Sequence, residues 1–370
     1  MGYYKKIKNI TIVTIVTYLL AELVCFIFIK TKFKAAHFPQ FSFQYNYNKY
    51  DFTIAELSPA WGTWHYREDH IEKKQCFEAV YHINSFGARD KERIKVADTN
   101  RVVFLGDSFI EGYGLNEPDR LTDQLEKLSN KEVLNFGCGY FTPTQEYLVY
   151  KNLAKDFTHN TIVIGILPFN DLTEDDTSFH ENDKFIHFQP YFQQSDSGYH
   201  LIYREDDLSR STFNKQGYFA MQNTGKQRMA RFLKEFSFWY NIYQFTRSNK
   251  PAVNATEKPF SGYYDYTRPQ LEKLEFILGK LKEAAPGKRV IVVTIPVYND
   301  FLRSGQTKTP SIAGEIAGFC AGHQMEYIDL LPAFAERVKD PSTLYFTCDG
   351  HWNALANKMA AEIILPLLRK

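Results

Sequence analysis

The 370-residue chain sets 44 Lys+Arg against 43 Asp+Glu, a formal net charge of +1, so its charge balance gives no reason to expect a nucleic-acid partner. Apolar residues make up 44%, enough for one large elaborated domain or two, and aromatics reach 16%, which points to aromatic-rich cores and grooves. The five cysteines (Cys25, Cys76, Cys138, Cys320 and Cys348) are odd in number and show no CxxC pair or metal-ligand spacing, which argues against a disulfide framework and leaves isolated core thiols.

Residues 1–9, with Lys5, Lys6 and Lys8, read as a cytoplasmic tail. Ile10 to Ile29 then runs with a single charge, Glu22. Such a helix covers about 30 Å, a bilayer core, and outruns the ~7–15 residues of a signal-peptide core. Thr31-Lys32-Phe33-Lys34 follows in place of a small-residue cleavage site, so the segment reads as an uncleaved transmembrane anchor. Lys30, Lys32 and Lys34 nearly balance the lysines before the span. The short tail before it and the long domain after it set the expectation: N-terminus inside, domain outside the cytoplasm, on the periplasmic face of a bacterial inner membrane. Glu22 is either a functional intramembrane carboxylate or a neutral or partner-facing one.

Residues 30–99 read as a linker and N-terminal extension lying on the domain. Residues 38–47 alternate aromatic and polar positions as an extended segment does, Trp61, Trp64, His65 and Tyr66 suggest an aromatic cluster, and Val80–Asn84 alternates like a half-buried strand. Asn84 and Arg89 fit either the turn that follows or a reach toward a site.

From residue 100 the pattern becomes strand–helix–strand, an α/β rhythm. Val102–Leu105 is a buried strand running into Gly106-Asp107-Ser108 as a tight turn, with the next helix expected over Arg120–Leu128, after Glu117-Pro118-Asp119. Glu132–Phe136 is a second strand ending at Gly137-Cys138-Gly139, then a helix capped at Thr142. Thr161–Leu167 is a third, ending at Pro168-Phe169-Asn170-Asp171. Residues 172–262 break the rhythm. An acidic loop (Glu174, Asp175, Asp176), an aromatic β-rich stretch through Phe185, Phe188, Tyr191 and Phe192, and one amphipathic helix over Gln227–Arg247 read as an insertion forming a lid or groove wall. A helix at Arg268–Ala285, strands at Arg289–Ile295 and Glu326–Leu330, a helix near Pro310–Ala321 and a final helix at Ala354–Leu368 complete the chain.

A chain this long shows Gly-Asp-Ser by accident about one time in ten. The partners decide its meaning. A serine hydroxyl needs a base, best a histidine whose other nitrogen is held by a carboxylate, and Asp349 and His351 precede the last helix. The oxyanion formed on attack needs prearranged donors, for which the backbone N–H groups of Ser108 and Gly139 and the Asn170 amide are candidates. The other histidines are assigned no role.

These blocks (Gly106-Asp107-Ser108, a glycine after the second strand, Asn170-Asp171 after the third, and Asp349-x-His351 before the last helix) occur in the order found in the SGNH (GDSL) hydrolase superfamily, which the chain resembles over residues 100–370. The resemblance implies a flavodoxin-like three-layer α/β/α sandwich with a parallel central sheet, and an esterase or acyltransferase acting on O- or thio-esters without metal or organic cofactor. It makes Ser108 the nucleophile, His351 the general base, Asp349 the acid, and Ser108, Gly139 and Asn170 the oxyanion hole. Three departures stand out: one residue rather than two separates Asp349 from His351, as in branches with an Asp-x-His-Trp signature; Pro168 replaces a glycine; and Gly137 competes with Gly139 as donor. The expected activity is hydrolysis of an ester on an envelope glycan, a lipid or a small molecule. The alternatives are O-acyl transfer to a polysaccharide and an inactive glycan-binding or assembly role.

Overall fold

The computed structural model describes the chain except residues 1, 34–35, 37, 40, 42–54, 59, 67–68, 98–99, 176–188, 203–224, 249–258, 306–310 and 370. Residues 42–47 of the alternating segment, Asp176, Phe185 and Phe188 therefore lie outside the described residues, as do the side chains of Trp64, His65 and Tyr66.

The chain opens with helix α1 (Gly2–Thr31), of which Lys6–Thr31 is long and apolar enough to cross a bilayer, with a mean hydropathy of 2.5. Two hairpins follow: β1 (Ala55–Ser58) with β2 (Gly62–Tyr66), and β3 (His70–Lys74) with β4 (Phe77–Tyr81), both antiparallel. The second strand of the latter pair lies earlier than the expected Val80–Asn84, because the Asn84 side chain accepts from the Phe86 and Ala88 N–H groups and turns the chain there.

The domain is built on five parallel strands: β5 (Arg101–Leu105), β6 (Glu132–Asn135), β7 (Thr161–Ile166), β10 (Arg289–Thr294) and β11 (Glu326–Asp329). Their order, β11-β10-β7-β5-β6, places the second strand of the sheet outside the first and the third to fifth on the other side. That is the flavodoxin-like order, whose ligands gather outside the carboxyl ends where the strand order reverses, here between β5 and β7. Every residue of β5 and β7 is buried, which continuous runs such as Thr161-Ile162-Val163-Ile164-Gly165-Ile166 permit because both faces are covered. Alternation divides them: Val103 and Leu105 join a core with helices α4 (Pro143–Asn152), α8 (Arg268–Ala284) and α10 (Ile312–Gly322), while Val102 and Phe104 join one with α3 (Leu121–Ser129), α11 (Leu330–Ala335) and α12 (Ala354–Leu368). Helix α8 shows the rule: Leu271, Leu274, Leu278 and Leu281, spaced three and four apart, are buried, each contributing roughly 1.5–3 kcal/mol.

Two local expectations are corrected. The helix expected over Arg120–Leu128 is present as α3, but a short unexpected helix, α2 (Ser108–Glu111), precedes it and begins at Ser108 itself, because the Asp107 carboxylate accepts from the Phe109 N–H at 2.9 Å and caps it at once. The amphipathic segment of the insertion is two helices, α6 (Gly225–Phe236) and α7 (Phe238–Ser248), broken where the Ser237 hydroxyl accepts from the Tyr240 N–H. The remaining elements are α5 (Pro168–Glu174), the hairpin β8 (Tyr191–Ser195) with β9 (Gly198–Ile202), and α9 (Tyr298–Arg303).

The isolated-thiol expectation fails for two cysteines. Cys76, in the β3–β4 turn, is disulfide-bonded to Cys348 across 272 residues, while Cys25, Cys138 and Cys320 are not disulfide-bonded. No local spacing signals a pair that distant.

Candidate active site

Ser108 leaves the carboxyl end of β5 as the first residue of α2, 8% exposed. Gly106 allows this turn: a β-carbon there would lie 2.2 Å from Ile110 Cγ1. From the other end of the domain, the loop before α12 brings His351 over it, with Nε2 2.7 Å from Ser108 Oγ. The loop is fixed by a bridge between Tyr345 and Trp352, a bond from the Phe346 N–H to the His351 carbonyl, and the Asn353 side chain, which caps α12. Buried Trp352 packs edge-on to Phe109, and the rings of Phe109 and Tyr113 lie 5.0 and 4.5 Å from the imidazole.

His351 Nδ1 hydrogen-bonds Asp349 Oδ1, which also accepts from the His351 backbone N–H at 2.9 Å. One intervening residue therefore suffices for the contact. The second oxygen, Oδ2, is ion-paired with Lys74, brought up by the β3–β4 hairpin that the disulfide ties to this loop. Burial pushes the Asp349 carboxyl up, but the hydrogen bond and charge of His351 and the Lys74 ammonium prevail and hold it well below the usual carboxylate range.

Asn170, in α5 just past the end of β7, donates its side-chain amide to Asp107 Oδ2 at 3.1 Å, so Asp107 both caps α2 and orients Asn170. Burial raises Asp107 to about 6 against the hydrogen bonds from Phe109 and Asn170. Behind it the buried carboxyls of Glu146 and Asp171 are pushed far up, first by desolvation and then by neighbouring carboxylate charge, Asp107 and Asp175 for Glu146 and Glu146 and Asp107 for Asp171, and burial with Asp107's charge lifts Glu174 to about 7.

Of the two glycines after β6, Gly137 donates its N–H to Asn135 Oδ1 at 2.9 Å. The amides of Gly139 and Ser108 have no partner among the described residues. At the site's margin, exposed Tyr140 and Phe169 adjoin Gly139 and Asn170, and Gln189 from the insertion donates to the Tyr140 carbonyl. Among the described residues no group of three His, Cys, Asp or Glu is spaced to hold a metal ion.

Three contributors had no sequence signal: Lys74, the disulfide, and the use made of Arg89. The Arg89 guanidinium is buried 3.3 Å from the centroid of the Tyr81 ring and donates to the Glu111 and Gly112 carbonyls, so it holds the carboxyl end of α2 rather than entering the site.

No protein-family model and no curated protein matches the chain. Among solved structures it is similar to a member of the lipolytic G-D-S-L family from Veillonella parvula (12% identity over 72% of this chain and 97% of that one, TM-score 0.37). It is also similar to a lipase/acylhydrolase from Enterococcus faecalis (11%, 73% and 95%, TM-score 0.39). A third is a catalytic mutant of an acetylxylan esterase from Geobacillus stearothermophilus (13%, 74% and 96%, TM-score 0.38). The four blocks by which the sequence resembles the SGNH hydrolases stand together at the carboxyl edge of its flavodoxin-like sheet.

Proposed function

We propose that the protein is a membrane-anchored serine ester hydrolase of the SGNH type, with Ser108 as nucleophile, His351 as general base and Asp349 as the acid that orients it. The observation that carries this reading is the continuous chain from Ser108 Oγ through the imidazole to Asp349, its Nε2–Oγ separation of 2.7 Å being within reach for proton transfer. Ser108 Oγ bonds to the ester carbonyl carbon as its proton passes to Nε2, and the carbonyl π pair moves onto oxygen. The Ser108 and Gly139 N–H groups and the Asn170 amide are the donors suited to that oxyanion. Collapse expels the alcohol, which takes the proton from Nε2 and leaves the acyl group on Ser108. Water, deprotonated by Nε2, then releases the acid and restores the serine. A sugar hydroxyl in place of water makes the same site an O-acyltransferase.

The Cys76–Cys348 bond supports an oxidising compartment, and with α1 read as an anchor it favours a domain outside the cytoplasm, on the periplasmic face of a bacterial inner membrane. That address, and the exposed rings of Tyr140 and Phe169, support an acylated envelope glycan or lipid as substrate.

Fluorophosphonate labelling of the full-length protein tests the reading. Wild type should be labelled and Ser108→Ala should not; labelling of both or neither overturns it. Release of free acetate from acetylated glycans, against transfer to an added oligosaccharide, separates hydrolase from transferase.

A further inference from the structure

We propose that α7 is a second membrane-contacting element, seated in the same leaflet as the carboxyl-terminal part of α1, with lipid against Trp239 and Tyr243. The inference rests on reading α1 as a bilayer span.

Depth is the first argument. Phe26 of α1 packs edge-on against Phe238 at 5.2 Å, and Phe33, just past the end of α1, against Phe245 at 5.7 Å. The two helices therefore run side by side in the same direction over matching seven-residue intervals, and α7 lies level with residues 22–33. At those levels α1 exposes Leu23, Val24, Ile27 and Phe28, each about half open. Whatever medium covers those side chains also reaches the outer face of α7.

Glu22 supplies the second. In a span a carboxylate is costly, and so is a helix N-terminus with unbonded N–H groups. Here each satisfies the other: the Ser237 hydroxyl donates to Oε1 at 2.6 Å, and the Phe238 and Trp239 N–H groups donate to Oε2 at 2.6 and 3.3 Å. The carboxylate also faces the positive end of the α7 dipole. A helix starting in water has no need of such a partner. One starting about 12 Å below Lys30, eight residues along α1, does.

The surface chemistry of α7 agrees. Trp239 is more than half exposed and Tyr243 about 40%. Trp239 and Tyr243 stack at 5.6 Å, and Arg247 donates to the Tyr243 hydroxyl at 3.0 Å, an aromatic pair topped by a cation as at a membrane interface. Lys30 sits 4.9 Å from the centroid of the Phe26 ring at the matching level.

Tryptophan quenching in phosphatidylcholine vesicles carrying acyl-brominated lipid tests the α7 contact. The full-length chain has four tryptophans, so Trp239→Phe isolates one. Trp239 is exposed, so the substitution should leave the circular dichroism spectrum of the wild type unchanged. Brominated lipid should quench the wild type, and Trp239→Phe should lose most of that quenching. Equal quenching of the two proteins, or a Trp239 reached only by aqueous acrylamide, overturns the proposal. So does a Trp239 shielded from both quenchers with crosslinking between chains, which assigns the face to a second copy. Failure of the chain to float with the vesicles overturns the anchor and the α7 contact together, whereas flotation without lipid quenching overturns the α7 contact alone.

Discussion

Lys74 holds the Asp349 carboxylate from the side opposite His351: one oxygen orients the imidazole and the other pairs with the ammonium. The folded pKa of Asp349 lies below its unfolded value, so the ionised group contributes stability that is present above the ordinary carboxylate range and lost as pH falls through the folded value. Removing Lys74 raises that folded value. Lys74→Met should therefore begin acid unfolding at a higher pH than wild type, measured by urea titration across pH. Because the Lys74 side chain is 42% exposed, kcat should fall only about 2- to 5-fold. Superimposable acid profiles would sink the assignment.

The Cys76–Cys348 bond closes a long loop and carries the hairpin that bears Lys74. Cys348→Ser should lower stability by about 2–4 kcal/mol and lower kcat more than Lys74→Met, because the hairpin is released with the charge. Thermal unfolding with and without reductant checks this: wild type should drop to the variant's midpoint when reduced, and the variant should not respond.

Asn170→Ala should lower kcat about 100- to 1,000-fold with KM little changed, as for removal of one oxyanion donor. Asp107→Asn should cost less, since it disturbs the orientation of Asn170 without removing the amide. Burial places Asp107 near 6, and protonation weakens its grip on Asn170, so the acid limb of kcat should be steeper in wild type than in Asp107→Asn. The stability sign is opposite to that of Asp349: a raised folded pKa means Asp107 favours folding most at low pH and loses that contribution as pH rises toward about 6.

The strands and the Ser108, Asp349, His351 and Asn170 blocks could be read from the chain because each is local: a buried β-run, a turn, a capped helix start. What could not be read depends on contacts between distant segments or on one side chain. Lys74 and Cys76 meet the loop at 348–349 only after folding, and an odd cysteine count hid the pair. The start of α2 at Ser108 hangs on the Asp107 cap, and the break at Ser237 on a hydroxyl that also serves Glu22. Glu22 itself shows no partner in sequence, since its donors lie 215 to 217 residues away.

Gly139 is the expected oxyanion donor and Gly137 its competitor, and the Gly137 N–H is already engaged by Asn135. At Gly137 the missing side chain is what matters: a β-carbon would lie 2.5 Å from the Glu111 backbone N and 2.8 Å from the Ile110 carbonyl carbon. Alanine there must push α2, and Ser108 with it, away from the sheet. Gly137→Ala should cost about 1–3 kcal/mol and slow fluorophosphonate labelling of Ser108 in the protein that remains folded. Two of the three clashes are with backbone, so trimming the neighbouring side chain offers no relief, and Gly137→Ala/Ile110→Val should label as slowly as the single variant. Labelling at the wild-type rate in Gly137→Ala would show that α2 does not depend on this close approach.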